Sequence, residues 1–95
     1  MKGLIISRKV LEKLAVKHGV TPREVEQCFD NCDGEHLEDR RERHRTNPIT
    51  RWFVAETNQG RKLKILFIFR NGKVYLKSAY LADEKAIEIY NDNAY

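Results

Sequence analysis

Two stretches near the start of the chain repeat hydrophobic residues at helical spacing. The first follows Ser7, a good N-cap residue, and its apolar positions predict a helix over residues 8–18. The second follows Thr21, and the proline and Glu24 that come next complete a capping-box sequence. These signals predict a second helix over residues 22–31, joined to the first by a short turn.

After residue 50 the pattern changes to β-forming and alternating residues. The segment "TRWFVAET" (50–57) is rich in β-branched and aromatic residues. The segment "RKLKILFIF" (61–69) begins as strict alternation and ends apolar on both faces, which is typical of a central strand. The Asn-Gly pair at 71–72 predicts a tight hairpin into a third strand, "KVYLKSAY" (73–80). We expect these strands to form an antiparallel meander.

The eight residues 38–45, "EDRRERHR", are all charged or titratable and offer no apolar stripe that would pack a helix. We predict an exposed edge strand paired with 50–57, because charged side chains suit a sheet edge. Residues 82–90 predict a closing helix, and residues 91–95 are expected to fray. The predicted fold is a single α+β domain over residues 1–95, with two N-terminal helices, an antiparallel sheet of three to four strands and a C-terminal helix.

Composition narrows the function classes without choosing among them. The 95-residue chain has a net charge of +4 and a hydrophobic fraction of 41%, which suit a folded domain with a polyanionic or acidic partner. No apolar run approaches the roughly 18 residues that a membrane span needs, so we expect a cytoplasmic protein with no membrane partner. Cys28, Cys32 and His36 are evenly spaced, but no fourth ligand for a tetrahedral metal site is evident. We therefore expect idle or buried thiols and no metal or other cofactor.

Three segments carry a family resemblance: "KHGVTPREVEQCF" (17–29), "GRKLKILFIF" (60–69) and "VYLKSAYLADEKAIEIY" (74–90). They resemble the BrnT-type toxins of the RelE-like toxin–antitoxin superfamily. In that family a lysine-histidine-glycine turn leads into a helix, and a strand with a Ser-Ala step leads into a helix with a terminal tyrosine. The resemblance implies a toxin that cleaves RNA without a metal, by making the RNA's own 2′-hydroxyl attack the adjacent phosphate. The implied partners are RNA and a cognate antitoxin, which we expect to be acidic.

One position departs from the family pattern. Tyr80 stands where those toxins place an arginine after the Ser-Ala step. This departure leaves open a second function, a non-catalytic RNA- or protein-binding module on the same fold. A third reading, as a protein related to ADP-ribosyl-dinitrogen reductase hydrolases, ranks below both, because the sequence offers no carboxylate cluster suited to two metals.

RNA cleavage needs proton transfer and stabilisation of phosphate charge, and these needs select the candidate residues. The catalytic candidates are Glu42, His44 and Tyr80. The phosphate-binding candidates are Arg41, Arg43, Arg51, Lys62, Lys64 and Lys77. The alternatives are an exposed edge histidine for His44, an ion-pair partner for Glu42 and a solvated basic edge for the arginines. We expect His18, near a helix C-terminus, to be structural and Trp52 to be core or half-core.

Overall fold

The computed structural model describes residues 1–41 and 46–95. The N-terminal part contains β1 (Leu4–Ile5), α1 (Arg8–Lys13), a π-helical segment (Leu14–His18) and α2 (Pro22–Asn31). The remainder contains β2 (Leu37–Glu38), β3 (Arg51–Glu56), β4 (Lys62–Arg70), β5 (Lys73–Leu81) and α3 (Glu84–Asn93). The α+β class is confirmed, and the order of the helices and the main strands agrees with the prediction.

The sheet of the described residues has five strands in the order β1-β5-β4-β3-β2, and it is mixed. The strands β2 to β5 pair antiparallel with their neighbours, as predicted. The prediction of a purely antiparallel sheet of three to four strands is wrong, because β1 adds a parallel edge strand to β5. Leu4 and Ile5 are too few to show alternation, and their pairing depends on Gly3, whose carbonyl accepts a hydrogen bond from the Val74 N–H at 2.7 Å.

The two N-terminal helices differ in how well the sequence predicted them. For α2 the bounds match, and the Thr21–Glu24 capping box forms with both hydrogen bonds in place. The first helix is α-helical only to Lys13 and continues as a π-helix to His18. Gly19, in the left-handed region at φ 61°, ends this π-helical segment, and its N–H donates to the carbonyl of Leu14. The spacing of apolar residues does not reveal the extra residue of this turn, because a single π-turn is too short to change the hydrophobic period of the helix.

One face of the sheet packs against these helices and forms the core. Phe29 of α2 lies edge-on to Phe53 at 4.9 Å and to Phe67 at 5.4 Å between ring centroids. Next to them, Cys28 is fully buried with its thiol against the carbonyl of Ala55 at 3.5 Å. The aromatic pairs and the buried area make this face the main source of hydrophobic stabilisation.

The opposite face of the sheet is only partly covered, by α3. Tyr90 of α3 is 1% exposed and lies 5.8 Å from the ring of Trp52. The tyrosine hydroxyl donates to the carbonyl of Glu35 at 2.8 Å, and the Glu35 N–H donates to the carbonyl of Ala94 at 2.9 Å. The predicted fraying of residues 91–95 is wrong for most of that segment, since α3 extends to Asn93 and Ala94 is 2% exposed.

Within the described residues, the predicted edge strand is shorter than expected. Of those residues, Leu37–Glu38 forms regular pairs, with Arg51 and Trp52 of β3, and one further backbone bond runs from the Asp39 N–H to the carbonyl of Thr50. Most of the charged stretch is therefore not strand, or lies outside the described residues. No helix in the described chain is long and apolar enough to span a membrane.

Candidate functional site

A groove of about 490 Å³ opens between the π-helical segment, β5 and the start of the charged stretch. The groove is open to solvent, and its floor includes Leu66 and Ser78, a cross-strand pair on the partly covered face of the sheet. Most of its charged walls are basic. We call it the basic groove and define it by Lys13, Lys17, His18, Arg41, Lys77 and Tyr80. Its described walls contain one acidic residue, Asp39.

His18 enters the groove because of the π-helical segment. It is the last residue of that segment, and its ring lies 5.3 Å from the ring of Tyr80 at an angle of 41°. Burial lowers the pKa of His18 below its ordinary value, and the neighbouring charges of Lys17 and Lys13 lower it further. Neutral imidazole is therefore favoured at neutral pH, which is the form that accepts a proton.

Arg41 is held in place by a buried carboxylate. Asp39 is 5% exposed, and its two oxygens accept hydrogen bonds from Nε of Arg41 at 3.0 Å and from Nη2 at 2.9 Å. This bidentate pair raises the pKa of Arg41 and fixes the plane of its guanidinium. Three of the five guanidinium N–H donors have no acceptor among the described residues, so they can meet an anion in the groove.

A β-bulge in β5 shapes the opposite wall. Leu66 pairs with Ser78 while the next residue, Phe67, pairs with Leu76, so Lys77 is the extra residue of the bulge. Lys77 is exposed and lines the basic groove. Bulges re-aim side chains and are common beside functional sites. After the bulge, Tyr80 pairs with Lys64 of β4.

Tyr80 stands between the basic groove and a second opening. This second cleft has a volume of about 690 Å³ and shares Tyr80, Arg41 and Asp39 with the basic groove. Burial raises the pKa of Tyr80 above its ordinary value, although the charge of Arg41 opposes that effect. The phenol is therefore protonated at neutral pH and can donate a hydrogen bond.

The second cleft, which we call the mixed cleft, combines aromatic, aliphatic and charged side chains. It is defined here by Trp52, Lys64, Tyr80, Asp83, Lys85 and Ile89. The Lys64 ammonium lies over the Trp52 ring, 4.6 Å from its centroid, in a cation–π contact. Burial lowers the pKa of Lys64, and the positive charge of Arg41 lowers it further.

The structure brings together four of the residues that the sequence selected and separates two others. Arg41, Lys64, Lys77 and Tyr80 line the two adjoining openings. Arg51 lines neither opening, although it lies 3.8 Å from Glu38 at the margin of the second cleft. Burial lowers the pKa of His36, and the charge of Arg51 lowers it further. Lys62 lines a different cavity, with Tyr90 and Tyr95. Glu42, Arg43 and His44 lie outside the described residues.

The sequence interpretation did not select four residues of the site: Lys13, Lys17, His18 and Asp39. His18 was expected to be structural, and in the structure its ring lies beside that of Tyr80 and lines the open groove. The only sequence signal for it was its place directly before Gly19, which ends the segment and fixes where the imidazole lies. Asp39 carried no signal, because it belongs to a run of charged residues in which nothing marks one carboxylate as buried. Trp52 is 8% exposed and belongs to the core, as expected.

The cysteines lie apart from both openings. Both thiols are free, and burial raises the pKa of Cys28 to about 12. The Cys32 thiol contacts the hydroxyl of Tyr90 at 3.4 Å and the carbonyl of Gly34 at 3.3 Å. Within residues 1–41 and 46–95, no group of three or more His, Cys, Asp or Glu side chains is arranged to hold a metal ion.

The sequence matches no protein-family model, and no curated protein matches it at a significant level. The resemblance to BrnT-type toxins is therefore a prediction that rests on the quoted segments alone.

Proposed function

We propose that this protein is a ribonuclease toxin of the RelE/BrnT-like type, which binds RNA in the basic groove and cleaves it by attack of a 2′-hydroxyl on the adjacent phosphate. The observation that carries the proposal is the contact of His18 with Tyr80 inside a groove lined by Lys13, Lys17, Arg41 and Lys77. A base, a hydrogen-bond donor and several cations are the groups that this reaction needs. The residues present supply each of them.

Each group has a role that follows from its surroundings. Neutral His18 takes the proton from the 2′-hydroxyl, because burial and the two nearby lysines disfavour its charged form. Protonated Tyr80 gives its proton to the leaving 5′-oxygen as the bond between phosphorus and that oxygen breaks, and both side chains return to their starting protonation states by exchange with solvent. Arg41 offers its remaining donors to the phosphate while Asp39 keeps it oriented. Glu42 and His44 remain predicted participants. An acidic antitoxin would inhibit the enzyme by covering the same cations.

The test compares cleavage with binding in the same variants. His18→Ala, Tyr80→Phe and His44→Ala are incubated with a fluorophore–quencher RNA, alone and with ribosomes, and RNA binding is followed by anisotropy. We expect His18→Ala to lower the cleavage rate by about 10²–10⁴-fold, the usual contribution of a general base, with little change in affinity. The wild-type rate should fall only as pH drops below the ordinary histidine pKa of about 6.5, because the pKa of His18 is lowered and protonated imidazole cannot act as a base.

A substrate control separates this chemistry from contamination. RNA with 2′-O-methyl groups should bind and resist cleavage, and the natural RNA should yield 2′,3′-cyclic phosphate ends. Binding without cleavage by verified folded protein would favour the alternative, a non-catalytic RNA-binding module. If His18→Ala is fully active and His44→Ala is inactive, the general base is His44 and not His18.

A further inference from the structure

The mixed cleft differs from the basic groove in a way that determines what each can hold. The basic groove has one acid among its described walls, whereas the mixed cleft has Glu38, Asp39 and Asp83. A carboxylate repels phosphate and accepts hydrogen bonds from N–H groups. The two openings share Tyr80 and Arg41, so one bound molecule can extend from one into the other.

Among these three acids, Asp83 is the one that forms no salt bridge within residues 1–41 and 46–95. Glu38 is engaged by Arg40 at 2.6 Å and by Arg51 at 3.8 Å, and Asp39 is engaged by Arg41. Asp83 is exposed, and its Oδ1 caps α3 by accepting from the Ala86 N–H at 2.8 Å. Its Oδ2 has no hydrogen-bond donor among the described residues.

The rest of the cleft suits a flat, partly apolar group. Tyr80, Ala86 and Ile89 supply apolar walls, and Lys64 and Lys85 supply donors. The volume of about 690 Å³ lies within the range of about 300–1,000 Å³ that is usual for small-molecule sites. Nucleobases stack on aromatic rings and are read along their hydrogen-bonding edges.

Building on the proposed function, we propose that the mixed cleft is a nucleobase subsite that selects guanine next to the phosphate held in the basic groove. Guanine carries two adjacent N–H donors on its Watson–Crick edge, which the Asp83 carboxylate can accept. Its O6 is an acceptor that a lysine ammonium can meet. Adenine and cytosine each present one amino group on that edge, and uracil presents one ring N–H.

The test uses binding, so it does not depend on catalysis. Four fluorescein-labelled 2′-O-methyl hexanucleotides, UUNUUU with N as guanine, adenine, cytosine or uracil, are titrated with the protein and followed by anisotropy. We expect the guanine oligonucleotide to bind about tenfold more tightly than the others, in line with the discrimination from a bidentate base contact. Asp83→Asn should abolish that preference, because an amide presents only one acceptor oxygen. The affinities for the other three oligonucleotides should stay within about twofold of the wild-type values.

Asp83→Asn keeps the helix cap, since asparagine is as good an N-cap as aspartate, and a thermal melt checks this. Lys17→Ala is the matched control on the basic groove and should weaken all four oligonucleotides by a similar factor. Equal binding of all four by the wild type, a preference for another base, or a guanine preference that survives Asp83→Asn would overturn the subsite. If none of the four oligonucleotides binds, both the subsite and the proposed function are overturned. A guanine preference in a protein that does not cleave RNA would support the subsite and refute the proposed ribonuclease activity.

Discussion

The docking of α3 against residues 32–36 gives a sharp prediction about stability. Gly34 lies so close to Tyr90 that a Cβ on it would stand 2.6 Å from the tyrosine hydroxyl oxygen, 3.1 Å from Cζ and 3.0 Å from the Cβ of Ala94. The backbone of Gly34 is not in the left-handed region, so alanine would suffer no conformational strain there. We expect Gly34→Ala to destabilise by steric overlap alone, by about 1–3 kcal/mol, the usual cost of overpacking.

Tyr90→Phe should also destabilise, but for a different reason. The hydroxyl donates to the carbonyl of Glu35 at 2.8 Å in a partly buried setting, and its loss removes the stabilisation of about 0.5–1.5 kcal/mol that a typical hydrogen bond contributes. In the double variant the closest atom to the new Cβ is gone. The double variant should therefore lose less stability than the sum of the two single variants, by about 1 kcal/mol, within the range of coupling energies between touching residues.

Urea unfolding measures this coupling, with the fluorescence of Trp52, the single tryptophan of the chain, as the probe. The Trp52 ring is 5.8 Å from that of Tyr90, so it reports on the same interface. Gly34→Ala combined with Tyr75→Phe, which alters a tyrosine of β5, is the additive control. Coupling below about 0.5 kcal/mol, the scatter expected for independent sites, or a stabilising Gly34→Ala, would refute the steric reasoning.

Two further predictions concern the buried thiol and the basic groove. The folded pKa of Cys28 is raised from 9.0 to about 12, so the unfolded state releases the thiol proton first, and stability present below pH 9 is lost as pH rises towards 12. Urea titrations at pH 8 and pH 10 should show that the free energy of unfolding falls by up to about 1.4 kcal/mol per pH unit above pH 9. Cys28→Ala should remove this fall. An equal fall in the variant would show that it does not come from Cys28. Lys13→Ala should lower the slope of log affinity for single-stranded RNA against log salt by about 0.7, the value for one phosphate contact, whereas Lys62→Ala, in another cavity, should leave the slope unchanged.

Much of the fold could be predicted because its signals are local. The capping box sets the start of α2 within four residues of sequence, and the Asn-Gly turn sets the register between β4 and β5 at their shared end. By contrast, β1 has only two residues, so its pairing depends on where β5 already lies. The extension of α3 to Asn93 likewise depends on Tyr90 and Glu35, which are 55 residues apart.

The candidate site was harder to predict than the fold for a related reason. Charge and strand alternation pointed to Lys64 and Lys77, and the departure from the family pattern drew attention to Tyr80; all three line the two openings. His18 comes from a distant helix, and it meets Tyr80 only through packing that no local pattern records. Arg51 was selected for its charge alone, and its place in the strand directs it to Glu38 and away from the groove.

The π-helical segment has a consequence for how related sequences should be compared. A π-turn holds one residue more than an α-turn, and deleting a residue from Leu14–His18 would restore α-helical winding. Because the π-turn absorbs that extra residue, the deletion would close the same turn with one residue fewer and keep the position before Gly19 beside Tyr80. In an alignment, a one-residue gap here is therefore compatible with the same contact between the histidine and Tyr80. The gap would remove an exposed residue of the turn such as Val16, which is 82% exposed.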